Sequence, residues 1–299
     1  MTSSLPMQAY VELEDRGIDL RLTLYPSFVL SLLQETGDGY VKIAGRSRGC
    51  VLRQTGGLVV SSCGEELTSY LSGLWYRDVF ERASVKRSMS RVIDTLRLVY
   101  SPLSLSVDPL DPLHVFVAVF LSQTTNYHAN VLSWTRRLWF QTNDPFEAAT
   151  LASRVFSSFQ VKRLPQAIEC LPQVFNGDRY EVRRQLVQCP YVGPKTADAF
   201  LLYALADPTS PPVDRHFVTM ASKLGMFAGL HPPRKEYCSK YRCEDCPLRD
   251  KCIRWRATRD LGELAGWVQT VFYVHDKTYC SRRLCDRCPL RSGCSDAYP

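Results

Sequence analysis

Lys195 and Asp214 are the residues whose types and positions most clearly indicate chemistry. Lys195 directly follows the turn 190–194 and begins an apolar run, so we expect its amine at the start of a helix. The partial positive charge of a helix N-terminus, together with partial desolvation, lowers the pKa of an amine and makes it a better nucleophile. Asp214 follows two prolines and precedes a second helical run, where it would cap that helix and stabilise a cationic transition state.

Both residues also have ordinary structural roles. A lysine at this position can bind phosphate or remain solvated, and Asp214 can act only as a helix cap. Backbone N–H groups of the turn 190–194 can hold a nucleic-acid phosphate without reading sequence. A helix and its return loop nevertheless bring Lys195 and Asp214 toward each other, and this pairing favours a nucleophile with a charged helper.

Eight of the 12 cysteines form two sets with the same spacing, C-x4-C-x2-C-x5-C. Four thiolates in a compact loop suit a [4Fe–4S] cluster or a structural zinc ion by ligand count, and disulfides are the alternative. A metal would fold loops that are too short to have a core of their own. The sets are Cys238, Cys243, Cys246 and Cys252, then Cys280, Cys285, Cys288 and Cys294, with Arg282, Arg283, Arg287 and Arg291 nearby for phosphates.

The composition of the 299 residues is that of a folded protein with a basic surface. Hydrophobic residues make up 45% and charged residues 22%, and the net charge of +7 is compatible with a polyanionic partner. The opening residues lack the pattern of a secretory leader, and no apolar run is long enough to cross a bilayer. We therefore expect a cytoplasmic, nucleoid-associated monomer without membrane contact, in which cysteines bind metal instead of forming disulfides.

The pattern of apolar residues divides the chain into a β-rich start and a helical remainder. Alternation at Leu20, Leu22 and Leu24, and glycine turns at 37–39 and 55–57, predict an antiparallel sheet within residues 8–62. Helical spacing follows from residue 65. The expected parts are a β-rich wing (1–64), linking helices (65–107), a helical lobe with the hairpin (108–210), and a second lobe with both cysteine loops (211–299). Helices are expected at 89–100, 112–123, 127–139, 145–158, 164–171, 179–188, 197–206, 214–224 and 259–275.

The segment Pro190–Phe217 resembles the helix-hairpin-helix, Gly/Pro-Asp signature of base-excision DNA glycosylases. Lys195-Thr-Ala-Asp198, continuing to Pro212-Val-Asp214-Arg-His216, resembles most closely the 8-oxoguanine DNA glycosylases. The loop Cys280–Cys294, preceded by Val274-His-Asp-Lys-Thr-Tyr279, is similar to the iron–sulfur loop of endonuclease III. Leu121-Ser-Gln-Thr-Thr-Asn126 looks like the helix-end loop that follows the Asp-Pro-containing start of the barrel helices in the superfamily.

These resemblances imply an α+β, mainly α fold with a two-lobed helical body and a cleft between the lobes. They imply that Lys195 attacks C1′ of a damaged nucleotide, that Asp214 stabilises the transition state, and that the resulting Schiff base permits β-elimination. They also imply a [4Fe–4S] cluster on Cys280–Cys294. For Cys238–Cys252, the cysteine spacing alone leaves open a second cluster, a zinc site or an additional DNA contact. Candidate residues for binding double-stranded DNA, or for filling the gap left by a flipped base, are Gln123, Thr124, Asn126, Tyr191, Val192, Gly193 and His216.

The predicted function is therefore a DNA glycosylase with AP-lyase activity that removes an oxidised base, with 8-oxoguanine preferred. An endonuclease III-like enzyme for oxidised pyrimidines is the first alternative, and a non-catalytic helix-hairpin-helix DNA-binding protein is the second. Two features depart from the family pattern. Tyr191 occupies a hairpin position that is usually glycine, and the loop Cys238–Cys252 matches no part of that pattern. His216 is expected to hydrogen-bond a phosphate or the Asp214 carboxylate.

Overall fold

The computed structural model describes residues 9–172, 175 and 177–295. Residues 1–8, where the leader prediction begins, lie outside the described part of the chain. Within it, a small antiparallel sheet precedes a series of mostly short helices. This is the predicted α+β, mainly α architecture. No described helix has both the length and the apolar character needed to span a bilayer.

The sheet has five antiparallel strands in the order β1-β5-β4-β3-β2. The β4–β5 hairpin turns at Gly56 and Gly57, with Thr55 opposite Leu58, and the turn between β2 and β3 spans residues 36–39. Both turns were predicted. The strands are β1 Val11–Glu14, β2 Leu33–Glu35, β3 Tyr40–Lys42, β4 Val51–Thr55 and β5 Leu58–Ser61.

The helices enclose the functional residues on most sides. Arg179–Gln188 has the predicted bounds, whereas Phe159–Glu169 starts before the predicted Leu164 and continues through Pro165. The helices are α1 Leu20–Leu24, α2 Glu65–Ser72, α3 Arg77–Arg82, α4 Ser90–Tyr100, α5 Pro112–Leu121, α6 Leu132–Trp139, α7 Pro145–Val155, α8 Phe159–Glu169, α9 Arg179–Gln188, α10 Pro194–Ala204, α11 Arg215–Lys223, α12 Lys235–Cys238, α13 Ile253–Leu261 and α14 Ala265–His275.

Two further expectations about secondary structure are wrong. The alternating leucines at 20–24 lie in α1 and not in a strand, because the Asp19 side chain accepts a hydrogen bond from Leu22 N at 2.8 Å and starts a helix. The single helix expected over 259–275 is broken at Gly262, whose φ of +54° ends α13 before α14 begins.

Helices α5 and α14 are the most deeply buried elements. Residues 115–121 of α5 are all buried, and α5 packs against α8 and α10. Residues 265–272 of α14 are also buried, and α14 packs against α11. Because α10 and α11 begin next to Lys195 and Asp214, the two buried helices fix the positions of both residues.

A buried ion cluster joins the sheet to the helical body. Lys42 of β3 is fully buried and its amine pairs with Asp108 at 3.1 Å and with Asp111. Asp111 also accepts a hydrogen bond from the Arg46 backbone at the turn after β3. Such a cluster contributes little net stability but fixes how the two parts meet, since removing one partner would leave a buried charge.

Four cysteines form disulfides, Cys50–Cys63 and Cys170–Cys189. The expectation that the cysteines would serve metal instead of disulfides is therefore wrong for these four. The first bond joins the ends of the β4–β5 hairpin. The second joins the end of α8 to the turn before α10. The remaining eight cysteines have free thiols.

Candidate active site

A cleft of about 940 Å³ contains both Lys195 and Asp214. Its walls come from the loop after α5, the turn before α10, the loop between α10 and α11, and one side of α14. The polypeptide thus brings together segments that are far apart in sequence.

Lys195 lies in the first turn of α10. Pro194 occupies the first helical position, where a missing N–H removes no hydrogen bond. Burial at the base of the cleft lowers the pKa of the Lys195 amine, and the Asp214 carboxylate acts in the opposite direction. The net shift is downward, so the neutral, nucleophilic form of the amine is more populated than for a solvated lysine.

Asp214 caps α11. Its Oδ1 atom accepts a hydrogen bond from Phe217 N at 2.8 Å, which confirms the predicted capping role. The cap fixes the carboxylate on the same side of the cleft as α11. It leaves the charge available to a cation formed near Lys195, to which the carboxylate is electrostatically coupled.

The seven candidate DNA-binding residues all line this cleft. Asn126 also has a local role, since its side chain accepts a hydrogen bond from Ala129 N at 3.1 Å and caps the turn that leads into α6. Thr124 has a φ of +50°, so the loop after α5 turns sharply into the cleft. The seven are Gln123, Thr124, Asn126, Tyr191, Val192, Gly193 and His216.

Tyr191 adopts the left-handed backbone conformation that glycine would favour, with φ +62°. The hairpin therefore keeps its turn, although a residue with a Cβ atom is strained in this backbone conformation. The ring, which is 42% exposed, lies 4.5 Å from the guanidinium of Arg163, which in turn lies 5.1 Å from the ring of Phe159. A stack of ring, cation and ring thus stabilises the strained position.

His216 pairs with Asp276 and not with Asp214, contrary to one of the two predicted alternatives. Its Nδ1 atom lies 2.5 Å from Asp276 Oδ2, and its ring packs edge-on against Tyr273. Burial of Asp276 is the largest influence and opposes ionisation, but the hydrogen bonds from His216 and Ser281, with the nearby positive charges, together outweigh it and lower the pKa of the carboxyl. The sequence neighbourhood suggested Asp214, whereas the packing of α11 on α14 brings the histidine to the end of α14.

Several cleft residues were missed in the sequence. Gln269 is only 5% exposed and its Oε1 atom has no hydrogen-bond partner among the described residues. It lies one helical turn before Tyr273, so both side chains reach the cleft from one face of α14. That spacing was visible, but in an apolar helix it is equally typical of core packing. The missed residues are Phe28, Tyr203, Gln269, Tyr273, Lys235 and Lys277.

The two cysteine sets lie outside the cleft. The four thiols of Cys238–Cys252 line a second, smaller cavity together with the guanidinium groups of Arg183 and Arg254. In the second set, the Cys288 thiol lies 3.3 Å from Nε2 of His275 at the end of α14. In the described part of the chain, no three His, Cys, Asp or Glu side chains are arranged to hold a single metal ion.

Comparison with known proteins shows a likeness in structure and none in sequence. No family model and no curated protein matches the chain. A structure of MBOgg1 with a low-affinity DNA ligand superposes with a TM-score of 0.64 at 15% identity, covering 90% of this chain and 96% of that one. The Clostridium acetobutylicum 8-oxoguanine glycosylase/lyase with DNA containing cytosine opposite 8-oxoguanine gives 0.62 at 14% identity, with 90% and 98% covered.

The same Clostridium acetobutylicum enzyme in its apo form gives a TM-score of 0.60 at 15% identity, with 88% of this chain and 95% of that one covered. Each of the three superpositions covers about nine-tenths of this chain. The resemblance predicted from the hairpin motif is confirmed at the level of architecture: the chain has the fold of the helix-hairpin-helix 8-oxoguanine DNA glycosylases.

Proposed function

We propose that this protein is a DNA glycosylase with AP-lyase activity that removes 8-oxoguanine from double-stranded DNA, acting as a cytoplasmic monomer. The observation that carries the proposal is the placement of Lys195 and Asp214 in one cleft, with burial lowering the pKa of the lysine. A phosphate-binding lysine has no need of a lowered pKa, whereas an amine that attacks carbon does. The fold, shared with 8-oxoguanine glycosylases, supports the same reading.

In the proposed reaction, the neutral Lys195 amine attacks C1′ of the damaged nucleotide. A bond forms between Nζ and C1′, the glycosidic bond breaks, and its electron pair leaves with the base, which takes up a proton. The sugar ring then opens to an iminium ion on Lys195. Loss of a C2′ proton expels the 3′ phosphate, which completes β-elimination. Asp214, held by its capping bond, stabilises the positive charge that develops at C1′.

The cleft offers groups that suit a base taken out of the duplex. A flipped base needs stacking surfaces and hydrogen bonds to its edge. The rings of Phe28 and Tyr273 line the cleft, and the buried Gln269 amide can both donate and accept. The turn around Gly193 and the basic side chains at the cleft, Lys235 and Lys277, are proposed to hold the DNA backbone.

We further propose a [4Fe–4S] cluster on Cys280, Cys285, Cys288 and Cys294, and a second cluster or zinc on Cys238, Cys243, Cys246 and Cys252. A four-iron cluster binds each thiolate through a different iron, so its ligands surround the group instead of converging on one point. The way in which the first set lines one cavity fits such a group. Either centre would serve to fold its loop and would take no part in the bond changes at C1′.

The test is borohydride trapping on a panel of lesion-containing duplexes. The wild-type protein should form a covalent adduct with DNA containing 8-oxoguanine, and Lys195→Gln should abolish it. An adduct that persists in Lys195→Gln would show that another amine is the nucleophile. Asp214→Asn should depress base release much more than DNA binding. Equal loss of both would indicate that Asp214 acts only as a helix cap.

The same panel separates the alternatives. Trapping on oxidised pyrimidines but not on 8-oxoguanine would favour the endonuclease III-like activity. Binding without trapping or base release on any duplex would favour a non-catalytic DNA-binding protein. Assays with and without alkali distinguish base release alone from base release followed by strand cleavage.

A further inference from the structure

A buried cluster of two arginines and one aspartate lies between the first cysteine set and the cleft. Arg183 of α9 donates two hydrogen bonds to Asp198 of α10, at 2.6 and 2.9 Å. Arg254 of α13 donates to Asp198 Oδ1 at 3.2 Å. The arginines are each 3% exposed, and Asp198 is fully buried.

The charges of this cluster do not balance by themselves. Two guanidinium cations face one carboxylate, and Asp207, also nearby, reaches Arg254 only through the Ser210 hydroxyl. The neutral ring of Tyr180 lies 6.0 Å from the Arg254 guanidinium. A buried cation without a counter-charge is strongly destabilising, so one more negative charge is required close by.

The parts of both guanidinium groups that do not contact Asp198 face the first cysteine set. Arg254 Nη1 lies 3.2 Å from the Cys243 sulfur, and Arg183 lines the same small cavity as Cys238. Both guanidinium groups line the cavity that the four thiols share. Neutral thiols would not balance the excess charge. Four thiolates around a zinc ion or a [4Fe–4S]²⁺ core carry two net negative charges, which more than offset the one excess positive charge of Arg183, Arg254 and Asp198.

The same cluster contacts the segments that carry the reactive residues. Asp198 lies one helical turn after Lys195 on α10, and Arg254 Nη2 lies 3.2 Å from the Ser210 hydroxyl, at the start of the loop to Asp214. Lys235, three residues before Cys238, donates to the Cys189 carbonyl at 3.0 Å, where the hairpin turn begins. The cysteine loop thus supports the helix, the return loop and the hairpin at once.

We infer that Cys238, Cys243, Cys246 and Cys252 hold an anionic metal–thiolate centre, and that Arg183 and Arg254 neutralise it and transmit its presence to the active cleft. Arg183, Arg254 and Asp198 are then positioning residues. The charge coupling is independent of the reaction. Its effect on the lysine chemistry rests on the proposed function.

A double-mutant cycle on the full-length, anaerobically purified protein tests the coupling. In the loaded wild type, Arg254→Met should lower Tm by about 6 °C or more, because a buried ionic contact is broken. Cys246, which makes neither of the arginine contacts above, is changed to serine to disable the centre. In the Cys246→Ser background Arg254→Met should leave Tm unchanged or raise it, because the arginine then lacks its counter-charge. Equal losses of Tm in both backgrounds would overturn the inference.

Metal retention gives a second readout, which remains decisive if Cys246→Ser does not fold. The Arg254→Met variant should release metal to a chelator at least about tenfold faster than wild type, as expected when about 1.4 kcal/mol or more of stabilisation is lost. Arg254→Lys should partly restore the slow metal release of the wild type. Arg249 lines the same cavity but its side chain is 50% exposed, so Arg249→Met is the matched control and should release metal at the wild-type rate. Unchanged release from Arg254→Met would contradict the coupling.

Elemental analysis separates the two sources of the charge. Iron with acid-labile sulfide and absorbance near 400 nm identifies a cluster, and stoichiometric zinc identifies a zinc site; both support the inference. Wild-type protein whose first cysteine set binds neither metal would overturn it. To isolate this set, metal is also measured in Cys285→Ser, which removes one ligand of the other set.

The effect on the cleft is measured at saturating DNA. Arg254→Met should slow borohydride trapping at least about tenfold while the Kd for undamaged duplex stays within twofold, because the hairpin contacts remain. Equal loss of trapping and binding would indicate general disorder and would contradict the positioning role. If wild-type protein traps no DNA, the proposed function fails, but the Tm cycle and metal release still decide the charge coupling.

Discussion

At the scale of single residues, Lys195 is subject to two opposing influences. Burial lowers the pKa of its amine and the Asp214 carboxylate raises it, with burial dominant. In the proposed reaction the attacking species is the neutral amine, so the rate of adduct formation should rise with pH as Lys195 loses its proton. A lowered pKa moves that rise toward neutral pH.

Asp214→Asn should move this rise to lower pH and reduce the maximum rate. The shift follows because the carboxylate that favours the ammonium is removed, and the lower maximum follows because the developing cation loses its stabilising charge. Single-turnover trapping as a function of pH measures both effects. Gln123→Ala, an uncharged change in the same cleft, is the control and should leave the midpoint unchanged. A shift to higher pH in Asp214→Asn would contradict the stated electrostatics.

Tyr191 allows a test of backbone strain. Tyr191→Ala loses the stack on Arg163 but keeps a left-handed residue with a Cβ atom, whereas Tyr191→Gly loses the stack and relieves the strain. The glycine variant should therefore be the more stable of the two by about 1 kcal/mol. At an ordinary exposed position alanine would be the more stable. Urea unfolding measures which of the two variants is more stable. An alanine variant as stable as the glycine variant, or more stable, would argue against backbone strain at this position.

The sequence predicted that Lys195 and Asp214 lie at helix starts and that Asp214 caps its helix, because a turn, a proline and a helix start are local signals. It did not predict Gln269 or Tyr273, whose importance depends on which face of α14 meets the cleft. One of the two partners expected for His216 was Asp214, from chain proximity, although packing directs the histidine to Asp276. Features set by residues near each other in sequence could be predicted, whereas contacts made by tertiary packing could not.

At the scale of elements, α14 packs against α10 and the loop after it through Gly266. A Cβ atom at this position would lie 2.6 Å from Leu202 Cδ1 and 3.0 Å from the Pro208 carbonyl oxygen, and Gly266 N donates to that oxygen at 2.7 Å. This close approach holds Gln269 and Tyr273 against the helix that carries Lys195.

Gly266→Ala should destabilise the protein by about 1–3 kcal/mol, because the helix must move away from a backbone carbonyl. The same shift should weaken trapping more than binding of undamaged DNA. Gly37→Ala is the matched control, since no atom lies within 4 Å of a Cβ at that position. Thermal and urea unfolding measure whether Gly266→Ala is less stable than Gly37→Ala. A neutral Gly266→Ala would mean that the contact between α14 and the Pro208 loop is loose.

Among the elements, helix existence was predicted better than helix ends. Proline at 165 suggested a later start for α8, but the helix includes it. Alternation at 20–24 suggested a strand, but the Asp19 cap favours a helical turn. At 20–24 one local signal, the Asp19 cap, outweighed another, the alternation, whereas α8 packs against both α5 and α7.

At the scale of the whole molecule, the net charge of +7 would attract a polyanion such as the proposed DNA substrate, and the cleft places Lys235 and Lys277 where its backbone is proposed to pass. Lys277 lines the cleft and lies 6.0 Å from the ring of Tyr273. Lys277→Met should reduce the slope of log K against log salt by about 0.9, the value for one phosphate contact. Arg91→Met, an equal change of charge at an exposed position in α4, should leave the slope unchanged. Equal slopes for both variants would place Lys277 outside the DNA interface.

The overall architecture was predictable because the hairpin motif, the β-rich start and the cysteine loops occur in an order that few folds share. The support given by the first cysteine loop to the cleft was not predictable. It depends on Arg183, Asp198 and Arg254, which lie on three different helices and are unremarkable in sequence.

The disulfide between Cys170 and Cys189 has a consequence for the timing of the proposed DNA recognition. It ties the entrance of the hairpin to the end of α8, so the turn is ordered when the chain folds and does not wait for a phosphate. Little conformational entropy is then lost when DNA arrives. The hairpin should therefore keep the same conformation in free and DNA-bound protein. The time spent on each stretch of undamaged DNA would then be set by dissociation of the protein and not by closure of the hairpin loop.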